Sequence, residues 1–214
     1  MTDRMKTADE CVVVVHGLWM HGFTSLPMAG HLRRKMHCPV YSFDYSSTLH
    51  SLDHNSDRLF DYCQALDERT VHLVGHSLGG LVVVNMLNRH DFDRPGRAVA
   101  IGSPFAHSES GKRLAKIPLL GKLVGRSLRQ AHSREPMTYR GEREVGVITA
   151  ARPRGPGKIL GSMEAAHDGI VFADETRLPG AKEFVEMPDQ THTTSYFSRQ
   201  AANRAADFLR NGNF

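Results

Sequence analysis

The segment of residues 71–90 limits the possible folds of this chain more than any other. Residues 71–75 (VHLVG) are a short apolar run that predicts a buried strand, and residues 78–90 predict a helix. Between them, residues 75–79 read Gly-His-Ser-Leu-Gly, a G-x-S-x-G pattern. On a sharp strand-to-helix turn, such a serine adopts strained backbone geometry and exposes its hydroxyl at the carboxyl end of a sheet. Ser77 is therefore a candidate nucleophile.

The rest of the chain alternates strand and helix patterns around this segment. Further strands are predicted over residues 11–15, 39–45, 97–102, 144–150 and 182–187, and further helices over residues 52–68 and 198–210. This alternation is typical of βαβ units, so it predicts an α/β fold with a mostly parallel sheet of about six strands and helices on both faces. The chain of 214 residues has the length of one domain. Residues 103–142 are too many for a simple crossover, so a cap insertion is predicted there.

Composition and charge exclude several classes of protein. Hydrophobic residues make up 40% of the chain, which is enough to form a core. No apolar run approaches the roughly 20 residues needed to span a bilayer. The net charge is +4, but residues 105–140 alone hold eight Lys/Arg against two Glu, so the charge is regional and does not indicate a nucleic-acid-binding protein. The charged N-terminal segment lacks the pattern of a secretory signal, and we expect a cytoplasmic protein.

No cofactor or metal site is predicted. The chain has no G-x-G-x-x-G pattern, and residues 155–158 lack P-loop spacing. His50 and His54 are four apart, but the residues between them indicate a loop running into a helix, and His21 and His31 have no Cys or Asp partner at ligand spacing.

The cysteines Cys11, Cys38 and Cys63 form no C-x-x-C pair. We expect them to be reduced and buried, with a Cys11–Cys38 bridge as the alternative.

The candidate base and acid lie downstream of the serine. A serine hydroxyl needs a general base and an orienting carboxylate, and in folds built on this turn the chain order is serine, acid, histidine. His192 follows the last predicted strand, on a loop expected at the same rim of the sheet as Ser77. Asp168, in a turn after the fifth predicted strand, is the preferred acid, and Asp174 and Asp189 are the alternatives.

Backbone N–H groups beside the serine are candidates for an oxyanion hole. Such donors stabilise a tetrahedral intermediate by about 3–4 kcal/mol each. One is expected from Leu78, directly after the serine. The second is expected from Leu18, which follows His16 and Gly17 at the end of the first strand.

Several segments together resemble the α/β-hydrolase superfamily, in particular its small bacterial lipase- and esterase-like members. The matching segments read VVVVHGLWMHG, VHLVGHSLGGLVV, IGSP and HDGIV, and they are followed by His192. The resemblance implies Ser77 as nucleophile, Asp168 as acid and His192 as base. It also assigns the oxyanion hole to Leu18 and Leu78, and it implies a reduced sheet with a cap after the fourth strand.

These features predict a serine hydrolase that cleaves carboxylic esters through an acyl-enzyme on Ser77. The expected substrate is a small-molecule or lipid-like acyl ester, and no cofactor is implied. An acyltransferase or thioesterase using the same acyl-enzyme is one alternative, and a non-catalytic binding protein on this fold is another. Trp19, Met20 and Phe105 are candidates for an apolar acyl pocket.

The predicted insertion has a pattern of its own. Its apolar residues recur at steps of three or four, which predicts a helix, and the basic residues lie largely elsewhere around that helix. The apolar set is Leu114, Ile117, Leu120, Val124 and Leu128. One interpretation is a lid with an apolar face over the serine and a basic rim that favours peripheral contact with an anionic membrane surface. The other is a solvated helical insertion whose apolar stripe packs on the core.

Overall fold

A parallel sheet organises the described part of the chain, which comprises residues 9–106, 125–152 and 167–214 of this computed structural model. Its six strands are β1 (Glu10–Val15), β2 (Val40–Phe43), β3 (Thr70–His76), β4 (Ala98–Ile101), β5 (Val145–Ala150) and β6 (Glu183–Met187). They lie in the order β2-β1-β3-β4-β5-β6, and every neighbouring pair is parallel. The predicted α/β sheet is therefore confirmed, and all its strands end at one edge.

Helices cover both faces of the sheet. In the described ranges they are α1 (Leu26–Met36), α2 (Leu52–Gln64), α3 (Leu78–Arg89), α4 (Gly125–Ser133), α5 (His192–Phe197) and α6 (Arg199–Asn211). Helices α1 and α6 pack on one face, and α2 and α3 pack on the other, where α4 lies against them. Two short 3-10 helices, Gly22–Ser25 and Ala173–Thr176, complete the set.

Strand β1 shows why the sheet forms a two-sided core. Its residues 11–15 are fully buried, and their side chains alternate between the faces. Val12 and Val14 join the cluster under α1 and α6, whereas Val13 and Val15 join the cluster under α2 and α3. A β-branched run that is apolar at every position is typical of a strand covered on both faces.

Two helices were not predicted from the sequence. Helix α1 buries Met28, Ala29, Leu32 and Met36, and it carries three basic residues in its last turn. Helix α5 begins at His192, so the prediction that this histidine lies on a loop was wrong. Thr191 starts this short helix because its hydroxyl accepts the Thr194 N–H at 3.1 Å.

Helix α4 is the helix of the predicted insertion that lies within the described residues, and side chains connect it to the body of the protein. Asn55 donates to the Ser127 hydroxyl at 2.8 Å. Arg134, just after α4, donates twice to the Asp53 carboxylate, at 2.8 and 2.6 Å, and these hydrogen bonds lower the pKa of Asp53 to about 2. These contacts favour an α4 that stays packed on the protein over an α4 that moves as part of a lid.

Most of the apolar pattern predicted for the insertion lies outside the described residues. Leu114, Ile117, Leu120 and Val124 fall outside the described residues, and only Leu128 of the apolar set lies on α4. A lid and a contact with an anionic membrane surface therefore stay predictions.

All three cysteines are buried free thiols, so the alternative Cys11–Cys38 bridge is not formed. Burial raises the thiol pKa of Cys11 and Cys63 to about 12 and that of Cys38 to about 11, which makes them poor nucleophiles. None of the helices in the described ranges has the length and apolar character to cross a membrane.

Candidate active site

Ser77 occupies the tight turn between β3 and α3. Its backbone has φ 53° and ψ −121°, a positive φ that residues other than glycine rarely adopt. The turn packs so closely that a Cβ on Gly75 would lie 2.6 Å from the Gly79 carbonyl oxygen, and one on Gly79 would lie 2.2 Å from the Val15 carbonyl oxygen. The glycines of the motif therefore allow a conformation that holds the serine at the carboxyl edge of the sheet.

Three side chains predicted from distant parts of the sequence form one hydrogen-bonded chain. The Ser77 hydroxyl lies 3.0 Å from His192 Nε2, and His192 Nδ1 lies 2.7 Å from Asp168 Oδ2. His192 and Asp168 are buried, with exposed fractions of 6% and 1%. With Nδ1–H donating to the carboxylate, Nε2 is free to accept the serine proton.

The surroundings of Asp168 separate it from the alternative acids. Its Oδ1 accepts the backbone N–H groups of Ile170 and Val171 at 2.9 and 2.8 Å, so both carboxylate oxygens are hydrogen-bonded. Asp174 and Asp189 are exposed, and the hydrogen bond of His192 Nδ1 goes to Asp168. The structure therefore brings Asp168, and not these two residues, to the histidine.

The backbone of His192 is also held in place. Its N–H donates to the Asp168 carbonyl at 2.8 Å, and its carbonyl accepts from His76 Nε2–H at 3.1 Å and from the Ser195 hydroxyl at 2.8 Å. The His76 ring stacks on Tyr196, and burial lowers the pKa of His76 to about 3. Sequence reasoning missed this role of His76 because nothing in the motif indicates a partner 116 residues away.

The two predicted oxyanion donors lie beside the serine. Leu18 and Leu78 both line the cavity at Ser77, and Leu78 is the first residue of α3. A Cβ on Gly17 would lie 3.3 Å from Ser77 Cβ, so the loop after β1 reaches the serine directly. The amino-terminal end of α3 adds a partial positive charge at the same place.

A mainly apolar cavity of about 380 Å³ opens at Ser77. Its walls include the predicted pocket residues Trp19 and Met20 together with Leu128, Ile170 and Phe197. Trp19 is about half exposed, at 53%, so the mouth of the cavity is itself apolar. Such a lining suits an uncharged, largely hydrocarbon part of a ligand.

Phe105 does not line this cavity, contrary to the prediction. Past Gly102, whose φ is 58°, the chain runs over the face of the sheet that carries α2 and α3, and Phe105 is 2% exposed in that core. It lines an adjoining cavity of about 230 Å³ instead. Pro104 and His132 line both cavities and lie between them.

The described residues contain no group of three or more histidine, cysteine, aspartate or glutamate side chains that could hold a metal ion. The hydrogen-bonded site at Ser77 contains one serine, one histidine and one carboxylate beside backbone N–H groups. Chemically, this set can activate a hydroxyl and stabilise an oxyanion.

Solved structures with this architecture include known hydrolases. The mature lipase BlEst2 of Bacillus licheniformis is 17% identical, with a TM-score of 0.66 over 100% of this chain and 95% of its own. The lin2722 gene product of Listeria innocua is 20% identical, with a TM-score of 0.64 over 94% and 93%. The type II thioesterase BorB of the borrelidin biosynthetic cluster is 16% identical, with a TM-score of 0.62 over 96% and 92%. Identities this low show a common fold and do not specify a substrate.

The family can be assigned from the sequence itself. A search among curated protein sequences found no match. The sequence model described as "Alpha/beta hydrolase family" matches residues 12–209, which is most of the chain. The superfamily predicted from the motifs is thereby confirmed, and the chain belongs to the alpha/beta hydrolase family.

Proposed function

We propose that this protein is a serine hydrolase that cleaves carboxylic esters through an acyl-enzyme on Ser77. The observation that carries the proposal is the hydrogen-bonded chain from Asp168 through His192 to Ser77 at the mouth of an apolar cavity. The esterases and lipases among the structural neighbours agree with it.

In the acylation step, Ser77 Oγ attacks the ester carbonyl while His192 Nε2 takes the hydroxyl proton. Asp168 keeps the proton of His192 on Nδ1 and stabilises the imidazolium that forms. The carbonyl oxygen becomes an oxyanion that accepts the N–H groups of Leu18 and Leu78. The carbon–oxygen bond to the alcohol then breaks, and the alcohol leaves with the proton from His192.

Deacylation repeats these roles with water as the nucleophile. His192 takes a proton from the water as it attacks the acyl carbonyl, and the same two N–H groups donate to the second oxyanion. The bond to Ser77 Oγ breaks, His192 returns the proton to the serine, and the carboxylic acid leaves.

The cavity indicates the kind of ester. Its volume of about 380 Å³ and its apolar walls suit a small or medium acyl chain or an aromatic group. We expect the catalytic efficiency on p-nitrophenyl esters to rise with chain length and then to fall once the chain exceeds the cavity.

Covalent labelling tests the proposal directly. A fluorophosphonate should label the wild-type protein at a single peptide containing Ser77, and Ser77→Ala should lose both labelling and ester hydrolysis while keeping its thermal transition. Ser46→Ala is a matched control outside the hydrogen-bonded chain and should label normally. A folded Ser77→Ala protein that still labels, or a wild-type protein that never labels, contradicts the proposal, and the second result favours a binding protein.

A thioesterase or acyltransferase is the second candidate, since one structural neighbour is a type II thioesterase. The acyl-enzyme is the same, and only the leaving group or the acceptor differs. Comparison of oxygen esters and thioesters with the same acyl chain, with and without a competing alcohol, separates the three activities. Preferential transfer to the alcohol, or a clear preference for the thioester, would replace ester hydrolysis as the conclusion.

A further inference from the structure

The segment after β1, residues 16–22, runs into the first 3-10 helix and is held by side chains that follow β2. Ser47 Oγ accepts the Trp19 N–H at 3.1 Å, and Asp44 Oδ1 accepts the Gly22 N–H at 2.8 Å. The Tyr45 hydroxyl donates to the His16 carbonyl at 2.8 Å. The loop is therefore tied at three points to residues 44–47.

Hydrogen bonds within the loop determine which N–H groups remain available. His16 Nδ1–H donates to the Gly17 carbonyl at 2.9 Å, and the His16 ring stacks on Tyr45. In a trans peptide the carbonyl and the following N–H point in opposite directions, so the Leu18 N–H is directed away from the His16 ring. The Trp19 N–H is occupied by Ser47, whereas the described residues provide no acceptor for the Leu18 N–H.

The backbone of Trp19 is strained. Its φ is 58°, and among the described residues the other non-glycine positions with positive φ are His37, which ends helix α1, and Ser77. A bulky aromatic residue persists in this conformation only where its surroundings impose it. The hydrogen bond to the buried Ser47 hydroxyl can impose this conformation on Trp19, because it holds the Trp19 N–H.

We propose that Ser47 is a positioning residue for the oxyanion hole: by holding the Trp19 N–H, it keeps the preceding peptide oriented so that the Leu18 N–H meets the oxyanion. The inference rests on the proposed ester hydrolysis. Ser47 itself does not touch the substrate and acts through the backbone of the loop. Because the oxyanion exists only in the tetrahedral states, Ser47 should affect kcat and leave KM nearly unchanged.

The first experiment compares two neighbouring serines with a small p-nitrophenyl ester. Ser47→Ala should lower kcat about tenfold with KM unchanged, which is less than the 10²–10³-fold loss typical of deleting a donor outright. Ser46→Ala is the matched control, because its hydroxyl accepts the Leu49 N–H within its own turn and should leave kcat unchanged. Ser47→Thr, which keeps the hydroxyl, should recover most of the activity, and Ser47→Val, which has the same shape without it, should not.

The second experiment separates positioning from a general loss of stability. A boronic acid that forms a charged tetrahedral adduct on Ser77 should bind Ser47→Ala more weakly by the same factor as kcat/KM falls. If Ser47 had a purely structural role, Ser47→Ala would lower the midpoint of thermal unfolding, but boronic acid affinity and kcat/KM would not fall by the same factor. If Ser47→Ala does not fold at the assay temperature, the Thr and Val pair gives the same comparison.

The outcomes distinguish this inference from the proposed function. If the wild-type protein neither hydrolyses esters nor labels at Ser77, the proposed function fails and the inference fails with it. If the wild-type protein is active and Ser47→Ala matches Ser46→Ala in kcat and in boronic acid affinity, the inference alone is overturned.

Discussion

The ends of β1 and β3 lie side by side, yet they are built in different ways. The strands pair in register up to Val15 and Gly75, and a buried histidine comes next in each segment: His16 directly after β1, and His76 as the last residue of β3. The turn after β3 is imposed by its own close packing, in which glycines let backbone meet backbone. The loop after β1 is instead held by side chains from residues 44–47. One half of the proposed oxyanion hole is thus a property of a local motif, and the other half depends on tertiary contacts.

The largest loss of stability should come from adding a methyl group to the turn after β3. In Gly79→Ala the new Cβ would lie 2.2 Å from the Val15 carbonyl oxygen, so the backbone of β1 or α3 must move, and we expect a loss of more than about 3 kcal/mol in the free energy of unfolding. Urea unfolding measures this loss. The control is Gly30→Ala in helix α1, where the nearest atom is 3.9 Å away and a gain of about 0.5–1 kcal/mol is expected. Equal stability of the two variants would show that the turn tolerates more than its packing suggests.

Replacing the acid should remove activity and leave both strand ends intact. Asp168→Asn weakens the partner of His192 Nδ1 and disturbs its tautomer, so kcat should fall about 10³–10⁴-fold with little change in KM. Steady-state kinetics on a small ester measures the effect, and Asp189→Asn is the exposed control. A severe loss at Asp189 with normal turnover at Asp168 would transfer the role of the acid.

Acid should destabilise the fold through both strand-end histidines. Burial lowers the pKa of His16, and it lowers the pKa of His76 to about 3. The folded protein binds protons at these rings more weakly than the unfolded chain, which takes up protons below about pH 6.5. Stability should therefore fall as the pH is lowered from 6.5, by up to about 1.4 kcal/mol per pH unit for His76. Urea unfolding between pH 7 and 5 should give a shallower pH dependence for His76→Gln than for the wild type. His54→Gln, at an exposed position, should match the wild type, and an unchanged slope in His76→Gln would argue against a neutral buried ring.

The smallest loss of stability should come from adding a methyl group to the loop after β1. In Gly17→Ala the new Cβ would lie 3.3 Å from Ser77 Cβ and from His76 Nδ1, a tight contact that small shifts can relieve. We expect stability within about 1 kcal/mol of the wild type but a roughly tenfold lower kcat, because the shift displaces the serine relative to Leu18. Parallel urea unfolding and kinetics test this. A Gly17→Ala protein that unfolds like Gly79→Ala would remove the contrast between the two strand ends.

Sequence reasoning worked best where the signal was local. The β-branched run of β1 and the glycine-rich turn at Ser77 each predict their own structure, since neighbouring residues impose it. Asp168 and His192 were chosen by chain order and turn composition, and the structure places both beside Ser77, although their catalytic roles are still to be tested.

The features that were missed depend on contacts between distant residues. Ser47 and Trp19 are 28 positions apart, and no pattern in either segment indicates their hydrogen bond. Phe105 was assigned to the wrong cavity because the direction of the chain after Gly102 depends on a backbone angle that composition does not reveal. Helix α5 was taken for a loop because its six residues are too few to show a helical period.

The hydrogen bond between Ser77 and His192 also determines when the site can form during synthesis, because it joins residues 115 positions apart. At a synthesis rate of about 5–20 residues per second, the ribosome adds His192 roughly 6 to 23 s after Ser77. During that interval the turn between β3 and α3 can form, but the serine has no base, so the nascent chain carries the nucleophile in an unreactive state. Under the proposed function, the protein becomes able to hydrolyse esters only once helix α5 places His192 beside Ser77. Folding of the turn at Ser77 is not sufficient.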